Sequence, residues 1–352
     1  VDNFNIGIKE LEKLVKDYFD DDGFPFTRNP SDLIFFTKYL LLCKECIKDA
    51  QQYIPDFLDI IIDKNLSCIN NILTPGNSVP LFNGGTEENL DEFNQFISDL
   101  EYKSKKTSNT IGGIHVINIK QHLVFFDLGG PPEKKFSRSY QSGPLSFEYY
   151  LEGKKIITNC GFGSNISPKA ELLSRFTSAQ STLTLNDTSV TKFERNKIVN
   201  KIYGNSIKNN FEISDVNIIN NENYQKLVAS HNGYMKNFGC IHKREISINK
   251  ETKNLSGSDE LIKKKDGRPI NYNIRFHLYP GLTAVKTMSG HSVLIQLSKN
   301  KSLLFTITGE NILLEKSIFL GQNKILENTC ITVSGNLVNK DKTIRWEIRK
   351  NI

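Results

Sequence analysis

Eight residues in the second half of the chain are of types that can handle an acidic sugar: Arg175, His231, Tyr234, His242, Arg244, Arg275, His277 and Tyr279. Arginine holds a carboxylate through two parallel hydrogen bonds, and a Tyr or His within reach moves a proton. Each alone also has an ordinary reading as a satisfied strand histidine, a packing tyrosine or a strand-pairing arginine. Only their accumulation points to a site. Other chemistry has no motif to rest on, because the sequence contains no Gly-x-Gly-x-x-Gly, no P-loop lysine, no Gly-x-Ser-x-Gly and no His-Glu-x-x-His.

These side chains need a frame. In the first hundred residues apolar positions recur at helical spacing in Leu11, Leu14, Val15 and Tyr18, then in Leu33, Phe36, Leu40, Cys43 and Ile47. Two more stripes follow, one through Leu58, Ile61, Ile62, Ile69 and Leu73, the other through Leu90, Phe93, Ile97 and Leu100. Asn29 before Pro30 reads as a capped helix start, and Pro75-Gly76 as a stop. The pattern predicts short antiparallel helices joined by brief loops over 20–26 and 74–85. Near Lys103 to Asn109 the composition turns polar and basic, and from Ile114 to Ile119 the period shortens to about two. Strand-like runs then recur at 122–127, 145–150, 181–185, 227–231, 274–278, 292–297, 303–308 and 331–333. Such an array predicts an antiparallel β-sandwich rather than a parallel α/β sheet. The expected organisation is α+β, with a helical segment over 1–105 and a sandwich over 106–352. The Asn-rich stretch 205–223 reads as a surface excursion.

Composition sets the limits. The 352 residues include 45 Lys and Arg against 39 Asp and Glu, a surplus of +6 that is too thin for an electrostatic nucleic-acid binder. With 38% hydrophobic and 24% charged residues the chain is neither disordered nor membrane-like in composition, and it has no apolar run of bilayer length. The six cysteines are scattered and read as mostly buried thiols rather than a disulfide framework. No signal-peptide pattern stands at Val1, so this terminus leaves the compartment open.

One series of short strings is more specific. Leu145-Ser-Phe-Glu-Tyr-Tyr150, Thr158-Asn-Cys-Gly161 and Arg175-Phe-Thr-Ser-Ala-Gln-Ser-Thr-Leu183 are followed by Ser230-His-Asn-Gly-Tyr234, His242-Lys-Arg244, Gly257-Ser-Asp259 and Phe276-His-Leu278. In this order they resemble the C-terminal half of heparinase II/III-like proteins. Asp22-Gly23, Arg28-Asn-Pro30 and Leu81-Phe-Asn-Gly84 extend the match loosely into the helical part. The resemblance implies the last helices of an α/α-toroid followed by an antiparallel sandwich, with an acidic polysaccharide in the cleft between them. It also implies a polysaccharide lyase of the envelope or periplasm, with no nucleic-acid partner. Such enzymes cleave by β-elimination: a base takes the proton α to the uronate carboxylate, donors stabilise the resulting charge, and a Tyr or His protonates the leaving oxygen.

The departures from the family pattern define the candidate site. Family members that bind zinc draw on a His-rich turn, an Asp and a further His, where this chain has Ser139-Tyr140-Gln141, Asn159 and Gln180. Neutral amides are poor zinc ligands. The expectation is therefore no metal, with Gln141, Asn159 and Gln180 forming an amide network at the substrate site. Tyr140, His231 and Tyr234 are the catalytic candidates, against a packing role for each. Arg175 is the candidate carboxylate binder, against a strand-pairing role. His115, His122 and His291 have no motif around them and read as structural. The same substitutions motivate a second hypothesis, a catalytically inactive glycan-binding or envelope-assembly protein. A third is a purely structural interaction module. The glycan and the oligomeric state are not legible in the sequence.

Overall fold

The computed structural model describes residues 2–106, 108–338 and 340–351. The helical spacing of the first hundred residues becomes the helices Asp2–Tyr18, Pro30–Asp49, Asp56–Ile72 and Asp91–Asp99. The second begins as its sequence dictates: Asn29 is extended, its side chain accepts from the Ser31 amide, and Pro30 occupies a first-turn position that needs no N–H. Leu33, Leu40 and Leu41 of this helix and Leu58, Ile61 and Ile62 of the next are buried.

Among the described residues, nine strands form one sheet. Eight lie in the order Thr110–Ile111, Ile114–Ile119, His122–Asp127, Phe147–Leu151, Lys154–Thr158, Ile270–Leu278, Leu326–Leu337 and Asn311–Phe319, and Leu183–Leu185 also pairs with Ile270–Leu278. The second sheet has the order Thr283–Lys286, Ser292–Ser298, Lys301–Ile307, Lys342–Asn351, Leu255–Lys263, Cys240–Asn249, Tyr224–His231 and Ile213–Asn220. All the strand pairs are antiparallel. The chain is thus α+β, helices followed by a sandwich. Between the sheets Phe147 stacks on Trp346 with ring centres 5.7 Å apart, and Phe276 meets Phe305 at 5.0 Å.

The first sheet also has a second partner. Ile114, Val116, Phe125 and Tyr150 turn away from the sandwich and join the core of the helices. Strands covered on both faces lose the alternation of apolar and polar residues, which is why 122–127 and 147–151 read as nearly continuous apolar runs. The second sheet has one wet face, and Cys240–Asn249 alternates strictly between buried and part-exposed positions.

Outside the Asn-rich stretch seven strands escape the periodicity reading: Thr110–Ile111, Lys154–Thr158, Cys240–Asn249, Leu255–Lys263, Thr283–Lys286, Asn311–Phe319 and Lys342–Asn351. In several of them inward positions are themselves polar, as with Lys155, His242, Arg244 and Asp259, and this breaks the apolar alternation. The Asn-rich excursion likewise contains a strand, Ile213–Asn220. It is the edge of the second sheet, mostly exposed, so little in it has to be apolar. Cys68, Cys160, Cys240 and Cys330 are buried thiols, whereas Cys43 and Cys46 are exposed. No helix among the described residues is long and apolar enough to cross a membrane.

Candidate functional site

The helices are anchored to the sandwich by Arg28. Its Nη2 lies 2.5 Å from Asp127 Oδ1, its Nη1 donates to the carbonyls of Gly129 and Gly130, and its Nε donates to Gly112. A second tie runs through Gly84, whose amide donates to Gln141 Oε1 at 3.0 Å. Gly84 has φ +104°, and a Cβ there would sit 2.7 Å from both Asn29 Nδ2 and Ser139 Cβ. Only glycine fits where helix start, loop and sandwich turn meet. The strings Arg28-Asn-Pro30 and Leu81-Phe-Asn-Gly84 thus belong to the joint that sets the width of the space beside it.

That space is a cleft of about 560 Å³ between the helical segment and the sandwich. Tyr18, Thr27, Asn29 and Asp32 line it from the helical side, Gly84, Thr86 and Glu88 from the loop, and Lys135, Phe136, Arg138, Ser139, Phe162 and Glu171 from the sandwich side. Asp32, in the first turn of Pro30–Asp49, is one of its lining residues. Asp32 Oδ2 accepts from Thr27 Oγ1 at 2.8 Å and from Tyr18 Oη at 3.1 Å. Burial pushes this carboxyl up, more than the hydrogen bonds from Thr27 and Tyr18 pull it down. Burial, joined by the charge of Asp32, also raises the Tyr18 phenol well above its ordinary value. A carboxylate of raised basicity and a phenol that stays protonated together make a proton-transfer pair.

The residues singled out from the sequence lie deeper. Arg175 is fully buried. Its guanidinium donates to the carbonyls of Tyr140 and Ser137, each at 2.8 Å, and of Asn205, and it faces the Phe193 ring at 4.1 Å. Tyr140 is fully buried next to it. His231 and Tyr234 come together inside the sandwich, with ring centres 5.5 Å apart, and the Tyr234 hydroxyl donates to the Leu183 carbonyl. His231 accepts from the Gly233 amide at Nδ1, so its Nε2–H donates to His242 Nδ1 at 3.1 Å, and His242 Nε2–H in turn donates to Asp259 at 2.7 Å. Both rings are therefore neutral, and burial holds both below the ordinary histidine value. Arg244 and Trp346 also donate to Asp259. Arg175, Tyr140, His231 and Tyr234 do not line the cleft.

Gln141 and Gln180 do converge: each donates an amide N–H to the Ser174 carbonyl at 2.8 Å, and Gln141 donates another to Gly161. Asn159 Oδ1 accepts from the Ser181 amide. Gln141 meets Gly84 in the turn it shares with Ser139, but Asn159 bonds to neither glutamine, so the three amides do not form one network.

A family model described as Heparinase II/III-like, C-terminal, matches residues 107–347, more than half of the chain. The chain belongs to this family. Among solved structures, heparan sulfate lyase HepC from Pedobacter heparinus superposes with a TM-score of 0.76 at 15% identity, over 98% of this chain and 55% of that one. A heparinase III structure gives 0.76 at 15% identity, over 98% and 57%. Another heparinase III, with methylated lysines, gives 0.78 at 14%, over 98% and 54%. The chain therefore spans little more than half the length of these lyases, with which it shares the fold. No curated protein matches it in sequence.

For a heparinase II/III-like sandwich the question of zinc arises at Gln141, Asn159 and Gln180. The residues present do not fit the ion. The Gln141 and Asn159 oxygens already accept backbone amides, Gln141 and Gln180 turn their N–H groups to carbonyls, and none of the three carries charge. Among the described residues no group of three or more His, Cys, Asp or Glu side chains is placed to hold a metal.

Sequence reasoning missed Tyr18, Thr27 and Asp32. Tyr18 was visible only as the last member of an apolar stripe, and Asp32 and Thr27 fell in no pattern. Their separation of 14 residues spans a loop whose path no periodicity reveals.

Proposed function

We propose that this heparinase II/III-like chain is a polysaccharide lyase acting on a uronate-containing glycan of the cell envelope or periplasm, with Asp32 and Tyr18 moving the protons. The observation that carries the reading is the Tyr18–Asp32–Thr27 constellation facing the cleft. Asp32 takes the proton α to the sugar carboxylate, and its raised basicity suits it to a weakly acidic C–H. Tyr18, kept protonated by its surroundings, delivers a proton to the leaving glycosidic oxygen. Lys135 and Arg138, exposed at the sandwich rim, receive the charge that builds on the sugar carboxylate. The step needs no metal. Phe136, stacked on Phe26 with ring centres 5.5 Å apart, provides an aromatic wall for the sugar ring.

A second reading, a glycan binder without turnover, is favoured by the turn Ser139-Tyr140-Gln141, which offers the cleft a hydroxyl and no imidazole. One experiment separates the two. Incubation with a panel of uronate polysaccharides is followed by ultraviolet absorbance of unsaturated uronate products. A rise that falls roughly 100-fold or more in Asp32→Asn, with unchanged thermal stability, supports the lyase. Binding without any rise supports the glycan binder. Neither binding nor product rejects both. Elemental analysis of protein purified without chelator is expected to find zinc well below one equivalent.

A further inference from the structure

Between the strands Leu183–Leu185 and Ile213–Asn220 the chain makes a hairpin-like excursion with a short helix, Lys197–Tyr203, at its tip. The two stems are joined by backbone hydrogen bonds from Glu194 N–H to the Ser206 carbonyl and from Lys208 N–H to the Lys192 carbonyl, each at 2.8 Å. At this base Ile207 is buried in the sandwich core and Phe193 packs against it. The tip is built the other way round. Ile198 and Ile202, four residues apart and so on one face of the helix, are 73% and 70% exposed. Asn196 caps the helix, its side chain accepting from the Ile198 amide at 2.9 Å, and Gly204, with φ +68°, turns the chain out of it. Capped at one end and turned at the other, the helix holds both isoleucines in water.

The same excursion is strongly basic. Over 188–211 Lys192, Arg195, Lys197, Lys201 and Lys208 stand against a single acid, Glu194. That acid is spent inside: it is buried, accepts the amides of Arg195 and Asn196 at 2.9 Å and meets Lys208 at 3.1 Å. Lys192, Arg195 and Lys201 are exposed, and no acid among the described residues pairs with them.

This pairing of features decides what covers the tip. A soluble polyanion would use the cations and leave the isoleucines in water. A neutral protein groove would use the isoleucines and leave the cations unpaired. A second copy of this chain would set the same cations against each other. An anionic lipid surface uses both, because aliphatic side chains enter the acyl boundary while Lys and Arg stay with the headgroup phosphates. We propose that the tip 192–202 docks this chain onto a membrane surface carrying anionic phospholipid. The helix is short, so the docking is weak and reversible.

The tip also has a fixed place beside the cleft. Gly204 lies against Arg138, where a Cβ would come 3.0 Å from the arginine Cγ, and Asn205 Nδ2 reaches Glu171 at 3.5 Å. Arg138 and Glu171 both line the cleft. Docking therefore brings the mouth of the cleft to the lipid surface, whatever the cleft binds.

Vesicle co-sedimentation with the full chain tests this, using phosphatidylcholine alone and phosphatidylcholine with about 30% phosphatidylglycerol. Binding is expected only with phosphatidylglycerol, and it should weaken about tenfold or more as salt rises from about 0.05 to about 0.5 M. The pair Ile198→Ser with Ile202→Ser, and separately the pair Lys192→Glu with Lys201→Glu, should each weaken it about tenfold or more. Thermal unfolding should not change in either pair, since all four side chains are exposed. Three results overturn the docking surface: no sedimentation with either vesicle, equal sedimentation with both, or binding indifferent to the isoleucine pair, which would mark a plain polyanion site. Self-association of the parent chain that is lost in the isoleucine pair would assign the face to a second copy instead.

Discussion

Replacing Lys155 by methionine keeps the length of the side chain and removes its charge. The ammonium lies 2.7 Å from Glu87 and 2.9 Å from Glu148, and Glu148 is completely enclosed. Removing one partner of a buried ion pair costs about 3–5 kcal/mol, chiefly because the other charge is left unpaired. Here two carboxylates are left, so the upper part of that range is expected near neutral pH. The loss must also depend on pH in a set direction. Burial already pushes the Glu148 carboxyl up against the pull of Lys155, and without the lysine it rises further. A carboxyl whose folded value exceeds its unfolded one contributes stability at low pH that is lost as pH rises. The gap between parent and variant should therefore be widest near about pH 8 and shrink towards about pH 5, by at most about 1.4 kcal/mol per pH unit for each carboxyl that titrates. Adding Glu148→Gln should restore a large part of the loss. Urea unfolding read by tryptophan fluorescence measures all of this, since the single tryptophan, Trp346, stacks on Phe147, the neighbour of Glu148 in the chain. A loss below about 1 kcal/mol, or a gap that does not narrow in acid, would refute the reasoning.

Arg175→Ala should cost about 3 kcal/mol or more in urea unfolding, because it strips donors from the buried carbonyls of Tyr140 and Ser137; a stability change under about 0.5 kcal/mol would contradict the clamp. Burial, with Arg275 adding to it, holds His277 at about 4 against an ordinary 6.5. The unfolded chain therefore takes up the proton first, and stability should fall as pH drops from about 6.5 to about 4, by up to about 3 kcal/mol from this group; acid unfolding of His277→Asn should be correspondingly flatter. If Asp32 is the base, the acidic limb of the pH–rate profile should lie above the usual carboxylate range, and a limb at ordinary aspartate values would count against it.

The sequence carried the frame better than the site. Helix spacing and the Asn29-Pro30 cap were legible because a helix buried along one stripe must repeat its apolar positions. The serial strings of the sandwich were legible for a different reason. Residues such as Arg244 and Asp259 are locked into a buried network, where each charged group must find a partner in the interior. That same property misdirects functional reading: Arg, His and Tyr drew attention as chemistry, yet Arg175, His231, His242 and Tyr234 satisfy one another and the backbone in the interior. Asp32 and Tyr18 share a cleft through a loop turn and helix docking, and Lys155 meets Glu87 across 68 residues. Neither juxtaposition leaves a local signature. Strands whose inward positions are themselves polar, such as Cys240–Asn249 with His242 and Arg244, were lost because burial there does not follow hydrophobicity.

The ties between helices and sandwich also fix the order in which the molecule can assemble. Arg28 finds Asp127 99 residues on, Glu87 finds Tyr279 192 residues on, and Lys350 reaches back 229 residues to Gln121. Contacts this far apart in the chain close only after long loops have been ordered, which makes folding slow. Asp32 and Tyr18 precede Arg138 and Glu171 in the chain, so the cleft they face has no opposite wall until those later residues are in place. A nascent chain thus holds Asp32 and Tyr18 before the wall they face has been made.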